Sequence, residues 1–389
     1  MSDSFKEILS RDSIFLKRDS LSPHYVPGKL PHREKEIECI MVSVSPVLRG
    51  EKPRNLFIYG KTGTGKTCSV KYVIKKLEEA GNAPNSYINC RVYNSRYRVM
   101  NKIIQDHLPK FAKPGYGISF FYEKMLDWVE KDGKQLIVVL DEVDVVKDLD
   151  DLLYTLTRSN DDLKSGGVSI IGISNRLSFK EKLDPRCMSS LLETEIVFSP
   201  YTSNELASIL SARVKIGFVS DAVDDSAVNL ASAIAAQETG DARYALKLLL
   251  KAGEIVDGRK ETRITDKHVE DARNSVDEDI TVDAISTLPG HQQVVLYAIA
   301  ILTLTGSRYS RLGNNNEENY LMSGEVYENY SKASRKFHKQ PRSARWFRQY
   351  LNDLEMLGLI TMVESGKGQR GHTRFIKIAY SAAKVKEII

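Results

Sequence analysis

Residues 54–67 read RNLFIYGKTGTGKT, and this stretch decides the fold of the first part of the chain. Its first half is a short apolar run typical of a buried strand, and residues 60–67 fit the pattern G-x-x-x-x-G-K-[ST] of a phosphate-binding loop. Glycines let the backbone turn tightly against phosphate oxygens, and the loop amides at the start of the next helix form an anion site. A glycine-rich turn without a ligand is the alternative interpretation. The candidate phosphate-binding residues are Gly60, Thr62, Gly63, Thr64, Gly65, Lys66, Thr67 and Cys68.

A second motif supplies the acids that such a loop needs. The run LIVVLDEVD at residues 136–144 predicts a buried parallel strand that ends in carboxylates. Lys66 is expected to reach the β- and γ-phosphates, and Thr67 to place its hydroxyl on Mg²⁺. Asp141 is expected to hold the Mg²⁺ shell, and Glu142 to polarise the attacking water. We therefore expect ATP or ADP with Mg²⁺ as the ligands.

The base of a nucleotide must be held by residues outside the phosphate loop. Upstream of the first strand, three prolines within residues 23–31 break helices and favour an extended segment. This segment offers apolar walls and polar edges, although a packed N-terminal arm without a ligand explains the same residues. The candidates for the base site are Tyr25, Val26, Pro27, His32 and Arg33, together with Tyr201 beyond the last strand.

The order of apolar runs indicates three domains in the 389 residues. Five short strands with intervening helices predict a doubly wound parallel α/β sheet within residues 1–200. Residues 201–278 contain helical patterns alone and predict a small helical domain, whose last helix we expect to end near Val276. Residues 279–389 begin a third unit with a short new helix, and three further helices and a hairpin follow.

Two single residues are candidates because of their positions. Asn175 follows the predicted strand at residues 168–174, at the sheet edge where Asp141 is expected, so its amide would orient water or contact the γ-phosphate. An Asn after a strand is also a common turn residue. Arg243 lies in the first turn of a helix that opens with Gly-Asp-Ala-Arg. It is either a surface charge or a phosphate sensor.

The third unit has the order helix–helix–helix–hairpin, which is that of a winged helix-turn-helix. Three arginines are expected on one exposed face of its third helix, predicted to begin at Arg342, and three basic residues belong to the hairpin. A protein-binding winged helix is the alternative. The candidate DNA-binding residues here are Arg342, Arg345, Arg348, Lys367, Arg370 and Arg374.

The net charge of +5 is unevenly distributed. Residues 289–389 contain 15 Lys and Arg against 8 Asp and Glu, a net charge of +7, so the other 288 residues carry −2. A basic third on a near-neutral body indicates an acidic partner such as nucleic acid, with a well-solvated surface as the alternative. The loop 108–119 also alternates Lys110 and Lys113 with aromatic residues. By itself that loop is more typical of a helix–helix connection than of a DNA contact.

Several classes of protein are disfavoured by composition. No apolar run approaches the roughly 20 residues of a membrane span, and the charged N-terminus lacks the apolar core of a signal peptide. The four cysteines are scattered without a C-x-x-C pair, which disfavours structural zinc and a disulfide framework. We expect a cytoplasmic protein with no membrane partner.

Five motifs in this order resemble the AAA+ replication-initiator family. They are YVPGKLPHRE, IYGKTGTGKT, LDEVD, LDPRCMSSL and GDARYAL. More narrowly, the chain resembles the archaeal origin-recognition and helicase-loader proteins that are related to the largest origin recognition complex subunit. The resemblance covers nearly the whole chain. One departure is the loop at residues 305–322, which is longer than the fold needs.

The resemblance implies a role for each motif residue. Lys66 and Thr67 match the Walker A residues, and Asp141 and Glu142 match the Walker B pair. Asn175 then matches sensor 1, and Arg243 matches the arginine of the lid, sensor 2. Arg186 falls where such proteins carry the arginine that reaches a neighbour's nucleotide. The loop 108–119 falls at the family's initiator-specific insertion, which strengthens the expectation of a DNA contact there.

The function implied by the resemblance is that of an ATP-dependent, origin-binding replication initiator and loader of the replicative helicase. Such a protein is a slow ATPase whose nucleotide state sets its conformation. The implied partners are double-stranded origin DNA, the replicative helicase and paralogous initiator subunits on the nucleoid of an archaeal cell. Two alternatives remain, a STAND-type signalling ATPase and a DNA-binding regulator whose nucleotide site does not hydrolyse ATP.

Overall fold

The computed structural model describes residues 13–23, 25–176, 183–185, 191, 194–238, 240–306, 320–364 and 374–389. The chain divides into two compact units, Met1–Ala272 and Arg273–Ile389. Within the described residues no helix is both long enough and apolar enough to cross a membrane.

Five parallel strands form the central sheet of the first unit. Every residue of the strand before the phosphate loop is buried, as expected for a sheet that is covered on both faces. The spatial order is β2-β3-β4-β1-β5, so β1 lies between β4 and β5. The strands are β1 (Leu56–Gly60), β2 (Asn85–Asn89), β3 (Gln135–Asp141), β4 (Gly167–Ser174) and β5 (Thr194–Phe198).

Helices cover both faces of this sheet. Leu56 and Ile58 of β1 belong to one apolar cluster, whereas Phe57 and Tyr59 belong to the cluster on the opposite face. The first cluster includes α1 (Glu34–Val44) and α2 (Lys66–Ala80), and the second includes α3 (Arg96–His107), α4 (Ile118–Lys131) and α5 (Leu149–Asp162). The period-2 alternation of a strand explains the division. The predicted doubly wound fold is confirmed.

The sheet register determines how far along the strands Asp141 and the phosphate loop lie relative to each other. Asp141 of β3 pairs with Ile173 of β4, and Ile173 in turn pairs with Ile58 of β1. The phosphate loop therefore begins two residues past the level at which Asp141 lies. Ligands of open parallel sheets bind beyond the carboxyl ends of the strands, which is this edge.

Three helices follow the sheet within the first unit. They are α6 (Ser203–Gly217), α7 (Asp225–Glu238) and α8 (Ala242–Arg259). A capping box between Thr202 and Glu205 begins α6. The side chain of Asp241 caps α8 by accepting hydrogen bonds from the backbone of Arg243 and Tyr244. This cap fixes Arg243 in the first turn of α8.

The second unit contains an antiparallel sheet of order β6-β8-β7 packed with helices. Val295, Ile299, Phe347 and Leu351 contribute to its core. Two of its elements, β6 and the last helix, were not predicted. The elements are α9 (Asp266–Thr287, which contains the division between the units), α10 (Gly290–Thr305), β6 (Leu321–Met322), α11 (Ser323–Lys336), α12 (Ala344–Met356), β7 (Ile360–Glu364), β8 (Arg374–Ile378) and α13 (Ala382–Ile388).

Two predicted helix boundaries are wrong. The helix expected to end near Val276 continues to Thr287 as α9, because residues 277–287 contain neither Gly nor Pro and the first such breaker is Pro289. The third helix of the winged-helix order begins at Ala344 rather than Arg342, since Ser343 takes the extended backbone of an N-cap. Arg342 therefore precedes the helix instead of sharing its face.

Candidate functional site

A cavity of about 670 Å³ opens at the carboxyl edge of the parallel sheet, within the first unit. Its size is within the usual range of small-molecule sites. The phosphate loop, the extended segment upstream of α1, and helices α6 and α8 form its walls. The sequence-predicted residues that line it are Tyr25, Val26, Pro27, Gly63, Gly65, Thr67, Cys68, Asp141, Glu142, Tyr201 and Arg243.

Two glycines of the loop are required by close contacts. Gly63 has a φ of +69°, and a Cβ there would lie 1.6 Å from Oδ1 of Asp241. Gly65 has a φ of +91°, and its Cβ would lie 2.7 Å from the hydroxyl of Tyr201. Both distances are shorter than real Cβ atoms adopt. Glycine at these two positions therefore allows the loop to pack closely against Asp241 of the lid and against Tyr201.

Lys66 is a buried cation with no carboxylate partner among the described residues. Its Nζ donates to the carbonyl oxygens of Gly60 at 2.7 Å and Lys61 at 2.6 Å. Burial, followed by repulsion from Arg243, lowers the pKa of Lys66 to about 8. Arg243 lines the cavity from α8, and Lys66 lies buried in the loop beside it, so two positive groups lie near this end of the cavity. This arrangement fits a polyphosphate.

The carboxylate of Asp141 lies beside the loop and is buried. The Thr67 hydroxyl donates to its two oxygens at 3.2 and 3.1 Å, and the Tyr87 hydroxyl donates to Oδ2 at 2.6 Å. These oxygens suit Mg²⁺, which is commonly bound by one or two carboxylates and by phosphate and water. Within the described ranges no group of three or more His, Cys, Asp or Glu residues could hold a metal ion.

Glu142 has the left-handed backbone that is rare outside glycine, with φ +57°. Its carboxylate lines the cavity and forms an ion pair with Arg91, which lies just beyond β2. The pair restrains the acid that sequence analysis expects to act on water. Such backbone strain is often found at functional sites.

The opposite end of the cavity is apolar and is built from distant parts of the chain. Ile209, Ala212 and Ile216 of α6 face the segment that contains Tyr25. Among them lies Arg213, a buried guanidinium that donates to the carbonyl oxygens of Ser20 at 3.2 Å and of Tyr25 at 3.3 Å. Its guanidinium carbon also lies 4.7 Å from the centre of the Tyr25 ring. Arg213 therefore ties α6 to the upstream segment.

Six of the predicted ligand residues do not line the cavity, namely Gly60, Thr62, Thr64, Lys66, His32 and Arg33. Arg33 is buried and supports the loop from behind. It donates to the carbonyl oxygens of Thr64 at 3.0 Å and Ser199 at 2.6 Å, and it stacks 3.9 Å from the ring centre of Tyr201. Arg33 thus shapes the site from outside the cavity.

The remaining candidates near the nucleotide are less directly placed. Asn175 follows β4 and is half-buried, and it does not line the cavity in the described structure. Arg186 lies outside the described residues. Arg243 lines the cavity, and its backbone nitrogen donates to the capping Asp241.

Exposed basic residues mark one side of α12. Arg345 and Arg348 are exposed, while Phe347 and Leu351 on the other side are buried in the core. Arg342 is exposed as well, and its backbone is tied to α11 through hydrogen bonds with Tyr327 and Tyr330.

The other basic candidates are dispersed. Arg374 begins β8, and its guanidinium donates to Oδ1 of Asn352 at 3.0 Å. Lys367 and Arg370 lie outside the described residues. Lys110 and Lys113 of the first unit are exposed next to aromatic rings that are also partly exposed, those of Phe111 and Tyr116.

Three family models match successive parts of the chain. Residues 49–182 match the AAA domain, residues 207–274 the Cdc6 AAA+ ATPase-type lid domain, and residues 283–388 the CDC6 C-terminal winged helix domain. The ORC1-type DNA replication protein 1 of Archaeoglobus fulgidus is 38% identical over 380 residues, which cover 96% of this chain and 90% of that protein. The protein of the same name from Sulfurisphaera tokodaii is 40% identical over 393 residues, covering 100% and 96%.

The chain belongs to the ORC1-type DNA replication proteins. Its structure is similar to that of the Aeropyrum pernix ORC1 protein in complex with DNA, with a TM-score of 0.82 and 35% identity over 97% of both chains. Cdc6p from Pyrobaculum aerophilum shares the fold, with a TM-score of 0.62 at 22% identity over 97% of both chains. The assignment to the AAA+ replication initiators is confirmed, and the signalling-ATPase alternative is left without support.

Three residues that shape the site of this ORC1-type protein are not among those predicted from the sequence. Tyr87 and Arg213 carry no motif, and each acts through a contact across the fold. Asp241 stands in the quoted GDAR motif, yet nothing in the motif indicates that its carboxylate lies against Gly63. A useful signal for Tyr87 is its position on β2, two residues before the partner of Asp141 in the sheet register.

Proposed function

We propose that this chain is an ATP-dependent initiator that binds double-stranded origin DNA in an archaeal cell. In this proposal it hydrolyses ATP slowly, and its nucleotide state sets the conformation of the lid formed by α6, α7 and α8. We further propose that it loads the replicative helicase together with paralogous initiator subunits. The proposed domains are residues 1–200, 201–278 and 279–389.

The observation that carries the nucleotide part is a single cavity lined by Thr67 of the phosphate loop, Asp141 of β3 and Arg243 of the lid. Lys66 lies in the loop beside this cavity, where burial and then repulsion from Arg243 lower its pKa, and a bound anion would offset that repulsion. A γ-phosphate adds favourable contacts to one lid position. ATP and ADP therefore favour different lid positions through differential affinity.

Hydrolysis rests on Glu142 and on the residues that hold Mg²⁺. Thr67 and Asp141 would bind the ion, which neutralises phosphate charge when bound. Glu142 would accept a proton from the attacking water, and its pair with Arg91 must open for this to happen. A base held in an ion pair is consistent with slow turnover. Arg186 is proposed to act on the nucleotide of a neighbouring subunit, and Asn175 to orient water.

DNA binding is proposed for the exposed side of α12. Arg345 and Arg348 would enter the major groove, where Arg pairs bidentately with guanine. Arg342 precedes the helix and would contact phosphate. Lys367, Arg370 and Arg374 of the hairpin would meet the minor groove, with Lys110 and Lys113 as a second contact from the first unit. The DNA complex of the related Aeropyrum pernix ORC1 protein supports this proposal.

The DNA proposal is tested by titrating the full chain with origin and random duplexes, with ATP, with ADP and without nucleotide. Replacing Arg345 and Arg348 by alanine should weaken origin binding about tenfold or more, because each bidentate pair supports roughly 1–3 kcal/mol of discrimination. The control replaces Lys336 and Lys386, which line a groove that no residue of α12 lines. Equal losses in both variants would mean that only the overall charge matters.

The hydrolysis proposal needs a separate experiment. Glu142→Gln should keep nucleotide binding and lose phosphate release, because the amide cannot accept the proton of water. A wild-type protein that binds ATP and releases no phosphate would instead favour the regulator with a non-hydrolysing site.

A further inference from the structure

Tyr87 belongs to neither nucleotide motif, yet it contacts the carboxylate on which the proposed Mg²⁺ site depends. Its hydroxyl donates to Oδ2 of Asp141 at 2.6 Å, which is shorter than the contacts of 3.1 and 3.2 Å from Thr67. Among the residues that the structure describes, no Lys or Arg forms an ion pair with Asp141. Neutral donors therefore hold this buried carboxylate, and its negative charge remains available to a cation.

The sheet register explains how Tyr87 reaches Asp141. Tyr87 pairs with Val139, and Asn89 pairs with Asp141, so Tyr87 and Asp141 are diagonal neighbours on β2 and β3. Residues two apart along a strand face the same side of the sheet, and an aromatic side chain is long enough to reach a diagonal neighbour. Nζ of Lys71 lies 5.0 Å from the centre of the Tyr87 ring. The ring is thus held by contacts at its face and at its hydroxyl.

We propose that Tyr87 is a positioning residue for Mg²⁺, which holds the Asp141 carboxylate in the orientation that the ion requires. The inference rests on the proposed nucleotide function. Thr67 also donates to Asp141, but its hydroxyl is itself a proposed ligand of the ion. Tyr87 is not a ligand, so its hydrogen bond can hold Asp141 both before and after the ion arrives. Loss of such an outer partner typically lowers metal affinity about 10- to 100-fold.

The test is Tyr87→Phe in the full chain, which removes one hydroxyl and keeps the ring. A fluorescent ATP analogue is bound at increasing Mg²⁺, and the Mg²⁺ concentration that gives half of the full gain in affinity is measured. We expect this concentration to rise about tenfold or more. The affinity in EDTA should stay within about twofold of wild type, because Tyr87 does not line the cavity.

A matched control is available in the same unit. Tyr122 donates to Oδ2 of Asp162 at the same distance of 2.6 Å, and neither residue lines the nucleotide cavity. Tyr122→Phe should leave the Mg²⁺ dependence unchanged. A shift of the same size in both variants would overturn the inference, since any lost tyrosine–carboxylate bond would then produce it.

A double-mutant cycle keeps the proposal testable if Tyr87→Phe lowers stability. In an Asp141→Asn background the same replacement should change the Mg²⁺ dependence by less than about twofold, whereas a general loss of stability would appear in both backgrounds. An unchanged Mg²⁺ dependence of Tyr87→Phe, or an equal loss of affinity in EDTA, would refute the positioning role alone. A wild-type protein that bound no nucleotide would overturn the proposed function and this inference with it.

Discussion

The two ends of the nucleotide cavity are built in different ways. The phosphate end is built from residues of short motifs, namely the loop, the end of β3 and Arg243 of the lid, and hydrogen bonds from neutral groups or to them hold Lys66 and Asp141 in place. The base end brings together the segment around Tyr25, helix α6 and Leu246 of α8, which are far apart in sequence. The difference teaches that short motifs encode the handling of charge, whereas tertiary packing creates the apolar wall.

The first prediction tests the phosphate end by removing the positive charge of Lys66. Lys66→Ala should lower the affinity for ATP at least about 100-fold and that for ADP about tenfold or more, because hydrogen bonds to charged groups contribute roughly 1.5–3 kcal/mol each and Lys66 would serve two phosphates of ATP but one of ADP. Isothermal titration calorimetry measures the effect. Lys61→Ala is the control, since this lysine of the same loop is exposed. A loss below tenfold for Lys66→Ala would show that the charge at the phosphate end contributes no more to affinity than the contacts at the base end.

The second prediction sharpens the comparison by contrasting two arginines of the lid. Arg213→Met should lower the affinity for ATP and ADP by the same factor of about ten, because two buried carbonyl groups lose their donors at the base end. Arg243→Ala should lower the affinity for ATP alone, as expected of a residue that contacts the γ-phosphate. If Arg213→Met changed the ratio of the two affinities, Arg213 would belong to the phosphate end.

The third prediction uses the pKa of Lys66. In the folded protein this lysine loses its proton near pH 8, whereas in the unfolded chain it keeps the proton to about 10.5. Nucleotide affinity should therefore fall up to about tenfold per pH unit above 8, because binding must then take up a proton. The same linkage makes the free energy of unfolding of the nucleotide-free protein rise with pH between these two values.

The pH dependence has its own control. Lys66→Arg keeps its charge throughout this range, so its affinity, whatever its absolute value, should not decline above pH 8. A parallel decline in both proteins would assign the effect to another group.

The smallest expected effect concerns the pair between Arg91 and Glu142. Arg91→Ala should raise the rate of ATP hydrolysis by up to about fivefold, because an exposed ion pair contributes roughly 0.2–1 kcal/mol. The affinity for ATP should not change. Arg98→Ala, at another exposed arginine nearby, should leave the rate as it is. A slower Arg91→Ala protein would mean that the pair assists Glu142 instead of restraining it.

The sequence predicts the parts of the fold that depend on local pattern. Apolar runs locate all five parallel strands, and spaced Gly, Lys and Asp residues locate the phosphate end. Prediction from the sequence fails where no local residue pattern marks the feature. The sequence predicts a domain boundary near residue 279, but nothing there stops a helix, and α9 runs through it. Tyr87 and Arg213 act through partners that only the folded chain brings near, so no local pattern identifies them.

Gly63 bears on how a related sequence should be interpreted after gene duplication. The lid rests its Asp241 carboxylate where any side chain at position 63 would project. A paralogue that had lost all use for ATP would still be selected to keep this glycine as long as its lid packed against the loop. An intact glycine pattern therefore shows that the lid packs against the loop, and it does not show that nucleotide is bound. Loss of Lys66 is the change that indicates a nucleotide site no longer in use.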